Sequence, residues 1–151
     1  VASARHRGFA VTEVLVNCVI FNDGAYTNIT DKAVRDDRVI YLKHGEPMVF
    51  GKNRDKGLIL NGFQLKAVQL GKDGYTEENI LRHDAHESDT GLHMLLAGMN
   101  YPTLPVALGV IRNVPGPTYD QAVEHQQDEV REKSKFHCVD DLLRSGETYE
   151  L

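Results

Sequence analysis

The feature that most constrains the fold is an apolar stretch near the N-terminus, Phe9-Ala-Val-Thr-Glu-Val-Leu-Val-Asn-Cys-Val-Ile-Phe-Asn22. Its β-branched residues lack the polar alternation of a half-exposed strand, which is typical of a strand covered on both faces, as in a parallel sheet. We therefore predict a strand over residues 9–17. Cys18 follows at its carboxyl end, where α/β folds place their ligands.

The composition is that of an ordinary globular domain. The chain has 151 residues, of which 41% are hydrophobic and 26% are charged, and its net charge is −5. This balance does not indicate binding to nucleic acid or to an anionic membrane, and no apolar run approaches the roughly 20 residues of a membrane span. Two cysteines distant in sequence form no paired framework, so we expect a reducing, cytoplasmic setting.

Residues 39–70 contain short apolar runs separated by turn residues. The runs are 39–42, 47–50, 57–60 and 65–70, and Asn61-Gly62 lies between the last two. Asn-Gly between two apolar runs is a strong hairpin signal because both residues tolerate a positive φ. These runs predict a small antiparallel sheet inserted after the first strand.

The remainder of the chain shows mainly helical patterns. We predict a short helix capped by Thr76 and a second helix that begins at Ser88 or Asp89, with Leu92, Leu95, Leu96 and Met99 on one face. A buried strand over 106–111 should follow. The chain should end with a helix from Thr118 to about Lys133 and a short helix over 139–145 ended by Gly146. The last long helix is indicated by a capping box formed by Thr118 and Gln121.

Cys18 is the first candidate for chemistry. It could be an iron–sulfur ligand, a zinc ligand or a nucleophile, or simply a small buried hydrophobic residue at a strand end. Spacing alone favours the structural interpretation, because one cysteine cannot hold a cluster and no neighbour in sequence is an obvious base. Cys138 is most simply a half-buried free thiol.

Two other groups of residues offer alternatives. His83, Asp84 and His86, with Asp89 and His93 nearby, could serve a metal-dependent hydrolase, although a solvated loop with a capping carboxylate is the simpler interpretation. The charged loop 51–57 and the polar helix 118–133 could instead bind a partner, which would make the chain a non-catalytic interaction module.

Several motifs resemble one enzyme family in their order along the chain. His6-Arg-Gly8, the apolar stretch and Cys18-Val-Ile-Phe-Asn22 resemble a junction late in the β subunit of 2-oxoacid:ferredoxin oxidoreductases, although Ile20 stands where threonine is common. Five further motifs resemble those of the 2-oxoglutarate-type members. They are Asn22-Asp-Gly-Ala25, Glu46-Pro-Met-Val-Phe-Gly-Lys-Asn-Arg-Asp-Lys-Gly57, Leu81-Arg-His-Asp84, Leu104-Pro-Val-Ala-Leu-Gly-Val-Ile-Arg112 and Pro117-Thr-Tyr119.

This resemblance implies a reaction and a set of cofactors. Such enzymes oxidatively decarboxylate a 2-oxoacid, here 2-oxoglutarate, to its acyl-coenzyme A and pass the electrons to ferredoxin, using thiamine diphosphate, magnesium and a [4Fe–4S] cluster. Cys18 then corresponds to the fourth cluster ligand, and Phe21 and Asn22 would line the cluster pocket. No catalytic residue carries over to this chain.

The chain also departs from the family pattern. The other three cluster cysteines and the Gly-Asp-Gly motif that holds magnesium and the diphosphate are absent. The resemblance therefore implies that the chain is the C-terminal half of a β subunit and forms a partial α/β domain. Residues 1–24 would contain the last strand of the parallel sheet of the thiamine-diphosphate-binding domain. Residues 25–151 would form a C-terminal extension with antiparallel hairpins and packing helices. Its partners would be the missing half, an α subunit and ferredoxin, and alone it should be inactive.

Overall fold

The structure, a computed structural model, describes residues 2–147 and residue 149. Contacts within the chain group these residues into two compact units. The first comprises residues 11–114 together with the N-terminal residues up to Arg5. The second comprises His6–Ala10 and the C-terminal residues from Pro115.

The elements alternate between short helices and short strands. The strands in the described ranges are β1 (Val39–Leu42), β2 (Val49–Phe50), β3 (Lys56–Asn61), β4 (Gln64–Gln69) and β5 (Val106–Gly109). The helices are α1 (Ala2–Arg5), α2 (Thr27–Thr30), α3 (Arg35–Arg38), α4 (Gly91–Ala97), α5 (Tyr119–Lys133) and α6 (Val139–Leu143), with a 3₁₀ turn at Glu77–Asn79. The predicted α/β class is confirmed, and no helix of the described residues is long and apolar enough to cross a membrane.

A parallel pair of strands forms the first sheet. β1 and β5 run parallel, and Leu42 is the register partner of Gly109. The sequence pattern placed 39–42 in the antiparallel sheet, which was wrong, because Ile40 is 1% exposed and the strand is covered as a parallel strand is. Gly109 has a φ of +115°, and a Cβ there would lie 2.6 Å from the Leu42 carbonyl oxygen, so this position requires glycine.

The second sheet is the predicted antiparallel one. It has the order β2-β3-β4. The strands β3 and β4 meet in the expected hairpin, with Asn61 opposite Gln64 and Gly62 at a φ of +63° in the turn. The hairpin prediction is therefore confirmed, and the positive φ explains why the turn takes an Asn-Gly pair.

One apolar core joins the two sheets to α4. Leu58 of β3 and Leu96 of α4 are fully buried in it. α4 begins at Gly91, later than the predicted Ser88 or Asp89, and Leu95 on its predicted apolar face remains 36% exposed. The chain before α4 is held by backbone bonds to the residues preceding β2, with Met48 N–H donating to Leu81 O at 2.8 Å.

The predicted strand over residues 9–17 does not form among the described residues. These residues belong to no strand, and Val11, Val14 and Val16 are 77%, 70% and 67% exposed. A strand exists only when a neighbouring strand accepts and donates its backbone hydrogen bonds, and none of the described residues pairs with this segment. Its apolar side chains consequently face solvent.

The C-terminal unit follows local signals. α5 begins with the predicted capping box, since Gln121 N–H donates to Thr118 Oγ1, and the helix ends at Lys133 as expected. The predicted short helix is also present as α6, but it ends at Leu143 rather than at the predicted 145 before Gly146. Cys138, however, is exposed rather than half-buried, because it is the N-cap of α6 and its sulfur accepts the Asp141 N–H at 3.5 Å.

Adjacent leucines of α4 provide a matched test of the core. We expect Leu96→Ala to lower the free energy of unfolding by about 2–5 kcal/mol, because it opens a cavity at a fully buried position. Leu95→Ala makes the same chemical change at a half-exposed position and should cost under about 1 kcal/mol. Urea denaturation followed by circular dichroism measures both, and equal losses would contradict the described packing of α4.

Candidate functional site

Cys18 lies on a loop that closes on itself. The Asn22 N–H donates to the Cys18 carbonyl oxygen at 2.9 Å. The Asn17 side chain then fastens the loop from the other side: its Nδ2 donates to Asp23 Oδ1 at 2.8 Å, and its Oδ1 accepts the Gly24 N–H at 2.9 Å. One amide thus joins both ends of the segment 17–24, so the position of the thiol is set by local bonds.

The Cys18 thiol is exposed and lies in a turn of backbone N–H groups. The N–H groups of Phe21 and Ile20, with a smaller contribution from Asn22, lower the pKa of the thiol below its ordinary value. These donors stabilise the thiolate, which is the form that binds metals. A loop with such N–H donors suits one ligand position of an iron–sulfur cluster, whose sulfurs commonly accept hydrogen bonds.

The loop carries a single thiol. Ile20 and Phe21 beside the thiol are 81% and 89% exposed and give it an apolar rim. No group of three or more His, Cys, Asp or Glu side chains with metal-binding geometry occurs among the residues that the structure describes. A cluster or zinc ion on Cys18 therefore needs its remaining ligands from polypeptide beyond these residues.

His83 is a structural residue. It is 1% exposed, and its Nε2 donates to the Val110 carbonyl oxygen at 2.8 Å, directly after β5. Its Nδ1 is buried without a hydrogen-bond partner in the described part of the chain. A ring packed in this way joins the loop before α4 to the parallel sheet and cannot reach a substrate in solvent.

Arg112 and His93 complete this connection. The His93 Nε2 donates to the Asp84 carbonyl oxygen at 2.8 Å, which leaves its Nδ1 to accept from Arg112 at 2.9 Å. The same guanidinium donates to the carbonyl oxygens of Glu87 and Ser88 at 2.8 and 3.0 Å. Arg112 thus binds the backbone ahead of α4 to the segment after β5.

Asp84 and two histidines form the exposed side of this region. The His86 N–H donates to Asp84 Oδ1 at 2.8 Å, and the His44 Nδ1 lies 3.2 Å from the same oxygen. The His86 N–H, with a smaller contribution from the His44 charge, holds the pKa of the Asp84 carboxyl below its usual value. The His86 ring is itself engaged, because its Nδ1 donates to the Asn113 carbonyl oxygen.

These contacts argue against the metal-hydrolase alternative. His83 is buried and bonded to the backbone, whereas His86 is bonded to a different carbonyl at the surface. Within residues 2–147 and 149 the three predicted ligands do not form a metal-binding group. The carboxylate organises a loop, as the simpler interpretation of the sequence held.

Sequence reasoning missed two important side chains. Asn17 was treated as part of the predicted strand, although an Asn followed by Asp23-Gly24 could have indicated a side-chain-closed turn. Arg112 appeared only inside a family motif, and its partners lie 19 to 25 residues away in sequence, so no local signal identifies them.

The comparisons with known proteins bear on the family. No family model matches the chain, and no solved structure matches it. A curated 2-oxoglutarate oxidoreductase subunit, KorB, of Mycobacterium tuberculosis is 36% identical over 126 residues, which are 83% of this chain. The chain is a relative of this 2-oxoglutarate oxidoreductase subunit. The resemblance predicted from the ordered motifs is thereby confirmed.

The match covers one third of the relative. The aligned residues are 33% of the KorB subunit, so the chain spans about a third of the curated relative that it matches. This coverage is consistent with the predicted partial domain. KorB is, by its name, one subunit of a 2-oxoglutarate oxidoreductase.

The loop geometry predicts an unusually acidic thiol. In a Cys138→Ser background, we expect alkylation of Cys18 by iodoacetamide to rise with pH at a lower pH in the folded chain than in urea, because the thiolate is the nucleophile and loses its N–H donors on unfolding. Asn17→Asp places a carboxylate against Asp23 and should open the loop and move the profile towards the urea curve. Coincident folded and unfolded profiles would contradict the described loop.

Proposed function

We propose that the chain is part of the β subunit of a 2-oxoglutarate:ferredoxin oxidoreductase that depends on thiamine diphosphate and an iron–sulfur cluster. The proposal rests on the relationship to KorB together with an exposed thiol whose pKa is lowered by three backbone N–H groups. In the proposed reaction the 2-oxoacid loses its carboxylate as carbon dioxide, its acyl carbon bonds to the sulfur of coenzyme A, and two electrons leave on ferredoxin.

The cofactors would supply the chemistry that amino-acid side chains lack. When bound, thiamine diphosphate with magnesium activates the keto carbon, and the [4Fe–4S] cluster carries electrons one at a time. In this chain the Cys18 thiolate would hold one iron of the cluster. The other three ligands and the diphosphate site would lie in polypeptide outside these residues, which agrees with the single metal ligand on the loop and with the coverage of KorB.

Phe21 and Asn22 would act through the environment of the cluster. The backbone N–H groups of both residues help to lower the pKa of the Cys18 thiol, and hydrogen bonds to cluster sulfurs raise the reduction potential by stabilising the more negative state. The exposed Phe21 ring would exclude water from the same site once it is covered.

The exposed apolar stretch would supply a strand to a sheet. Val11, Val14 and Val16 face solvent, as expected of an inner strand that lacks its neighbours. We infer that polypeptide outside these residues provides those neighbours, which would carry Cys18 to the carboxyl edge of a parallel sheet. The remaining proposed partners are an α subunit, ferredoxin, the 2-oxoacid and coenzyme A.

The non-catalytic module has less support. An interaction domain that folds by itself would cover its most apolar stretch, whereas Val11 and Val16 are exposed. The polar helix α5 contributes no buried residue, which is equally expected of a solvated surface helix.

Cluster assembly tests the proposal. In the complete subunit assembly, we expect Cys18→Ala to abolish or strongly reduce cluster iron and acid-labile sulfide, because one of four ligands is lost. Cys138→Ala provides the matched control, since that thiol caps α6 and should leave the iron content unchanged. Iron analysis and electron paramagnetic resonance of the reduced protein measure both variants. Wild-type iron in Cys18→Ala would overturn the assignment.

A further inference from the structure

The loop ahead of α4 is bonded to the segments that follow both strands of the parallel sheet. Because β1 and β5 are parallel, these segments begin at the same edge of the sheet. On the β5 side, the Asn113 N–H donates to the Ala85 carbonyl oxygen at 2.7 Å. On the β1 side, the Ala85 N–H donates to the Nδ1 atom of His44 at 3.2 Å. Ala85 therefore connects the two segments through its own N–H and carbonyl groups.

The Nδ1 atom of His44 lies beside two groups that require opposite protonation states. To accept the Ala85 N–H, this nitrogen must carry a lone pair, as in a neutral imidazole with its proton on Nε2. The same nitrogen lies 3.2 Å from Asp84 Oδ1. A carboxylate only accepts hydrogen bonds, so this second contact is a hydrogen bond only when Nδ1 carries a proton. The two hydrogen bonds therefore exclude each other.

The Asp84 carboxylate stays charged where histidine takes up a proton. The His86 N–H, with a smaller contribution from the His44 charge, holds the pKa of the Asp84 carboxyl below its usual value, which is itself about 4 for aspartate. Histidine is the side chain that ordinarily changes its charge between pH 5 and 8. A proton that arrives in this range therefore binds an imidazole beside a carboxylate that is already ionised.

The Ala85 N–H depends on His44 because water does not reach it easily. Ala85 is 3% exposed, whereas the His44 and Asp84 side chains are 52% and 56% exposed. A buried N–H that loses its acceptor is unfavourable, and an exposed ion pair stabilises a protein only slightly. Protonation of His44 is therefore accommodated by a movement of the loop that lets the Ala85 N–H reach water.

The other charged groups around His44 are bonded to further partners. The Arg82 guanidinium donates at 3.2 Å to the carbonyl oxygen of the residue after His44. In the same turn Lys43 lies 3.5 Å from Glu46. The His86 ring, with its centroid 4.4 Å from that of His44, is the nearest titratable neighbour. A charge on His86 would oppose protonation of His44, and Asp84 favours it.

Two more histidines lie on the inner side of the loop. The Nε2 atoms of His83 and His93 donate to backbone carbonyl oxygens at 2.8 Å, and Arg112 donates to the Nδ1 atom of His93 at 2.9 Å. None of these bonds involves the His44 ring. The buried Nδ1 atom of His83 has no hydrogen-bond partner among the described residues, so its protonation is the alternative that an experiment has to separate from that of His44.

We propose that His44 is a proton-dependent switch of the loop ahead of α4. In the neutral state, its Nδ1 atom accepts the Ala85 N–H and holds the loop against the end of β1. In the protonated state, the Nδ1–H donates to Asp84 Oδ1, and the Ala85 N–H is released to solvent. A fall in pH thus loosens the carboxyl edge of the parallel sheet, where β1 and β5 end.

Nuclear magnetic resonance of the full chain between pH 5 and 8 tests the switch. The Ala85 amide resonance should shift in one transition. Protection of this amide against hydrogen exchange, corrected for the intrinsic effect of pH on exchange, should fall by about tenfold towards pH 5, as expected for the loss of one hydrogen bond. His44→Gln keeps an acceptor oxygen but does not titrate, so both changes should disappear.

Two further variants test the partner and the specificity. Asp84→Asn keeps an oxygen for the His86 N–H but removes the charge, so the midpoint of the Ala85 transition should move to lower pH by up to about 0.7 unit, the effect of an exposed ion pair. His125→Gln is the matched control, because His125 lies 3.4 Å from Glu129 on α5 in another histidine–carboxylate pair. It should leave the Ala85 transition unchanged.

The outcomes decide between His44 and its neighbours. An Ala85 amide that does not respond to pH overturns the switch. A transition that persists in folded His44→Gln also overturns it and assigns the effect to His83 or His86. Cluster iron does not enter any of these measurements, so failure of the switch is distinguishable from failure of the Cys18 assignment.

Discussion

The hydrogen-bonding demand of extended backbone governs how this chain is built. β1 forms its backbone hydrogen bonds with β5, and the segment that contains Leu81 forms backbone hydrogen bonds with the residues ahead of β2. The stretch 9–17 is also largely apolar, yet it pairs with no strand of the described residues. Its exposed valines leave an apolar surface that a neighbouring strand could cover.

The thiol is organised differently from the stretch that leads to it. Asn17 closes the loop through contacts only six and seven residues away, and the N–H groups that lower the pKa of the Cys18 thiol belong to the next four residues. Local bonds of this kind form without the neighbouring strands. If Cys18 binds the proposed cluster, its loop is therefore prepared before its surroundings are assembled, which would lower the conformational entropy lost on binding.

Local features were predictable from the sequence, and long-range pairings were not. The Asn61-Gly62 hairpin and the capping box at Thr118 each depend on residues a few positions apart in sequence, and both form as expected. The parallel partner of β1 lies more than sixty residues away, and its run of apolar residues fits either kind of sheet. The thiol of Cys18 was identified, but Asn17 and Arg112 act through partners that no periodicity reveals.

If Cys18 holds the proposed cluster, its adjacency to the apolar stretch would couple metal binding to assembly. If residues 9–17 pair as an inner strand, the loop at their carboxyl end moves with them, because Asn17 fixes the thiol to the strand's last residue. Strand docking and ligand delivery then become one event. A thiolate exposed before docking is open to oxidation, whereas the docked apolar rim of Ile20 and Phe21 would exclude water. Cluster assembly should accordingly stabilise the docked subunit, since a metal that binds only the assembled state draws the equilibrium towards it.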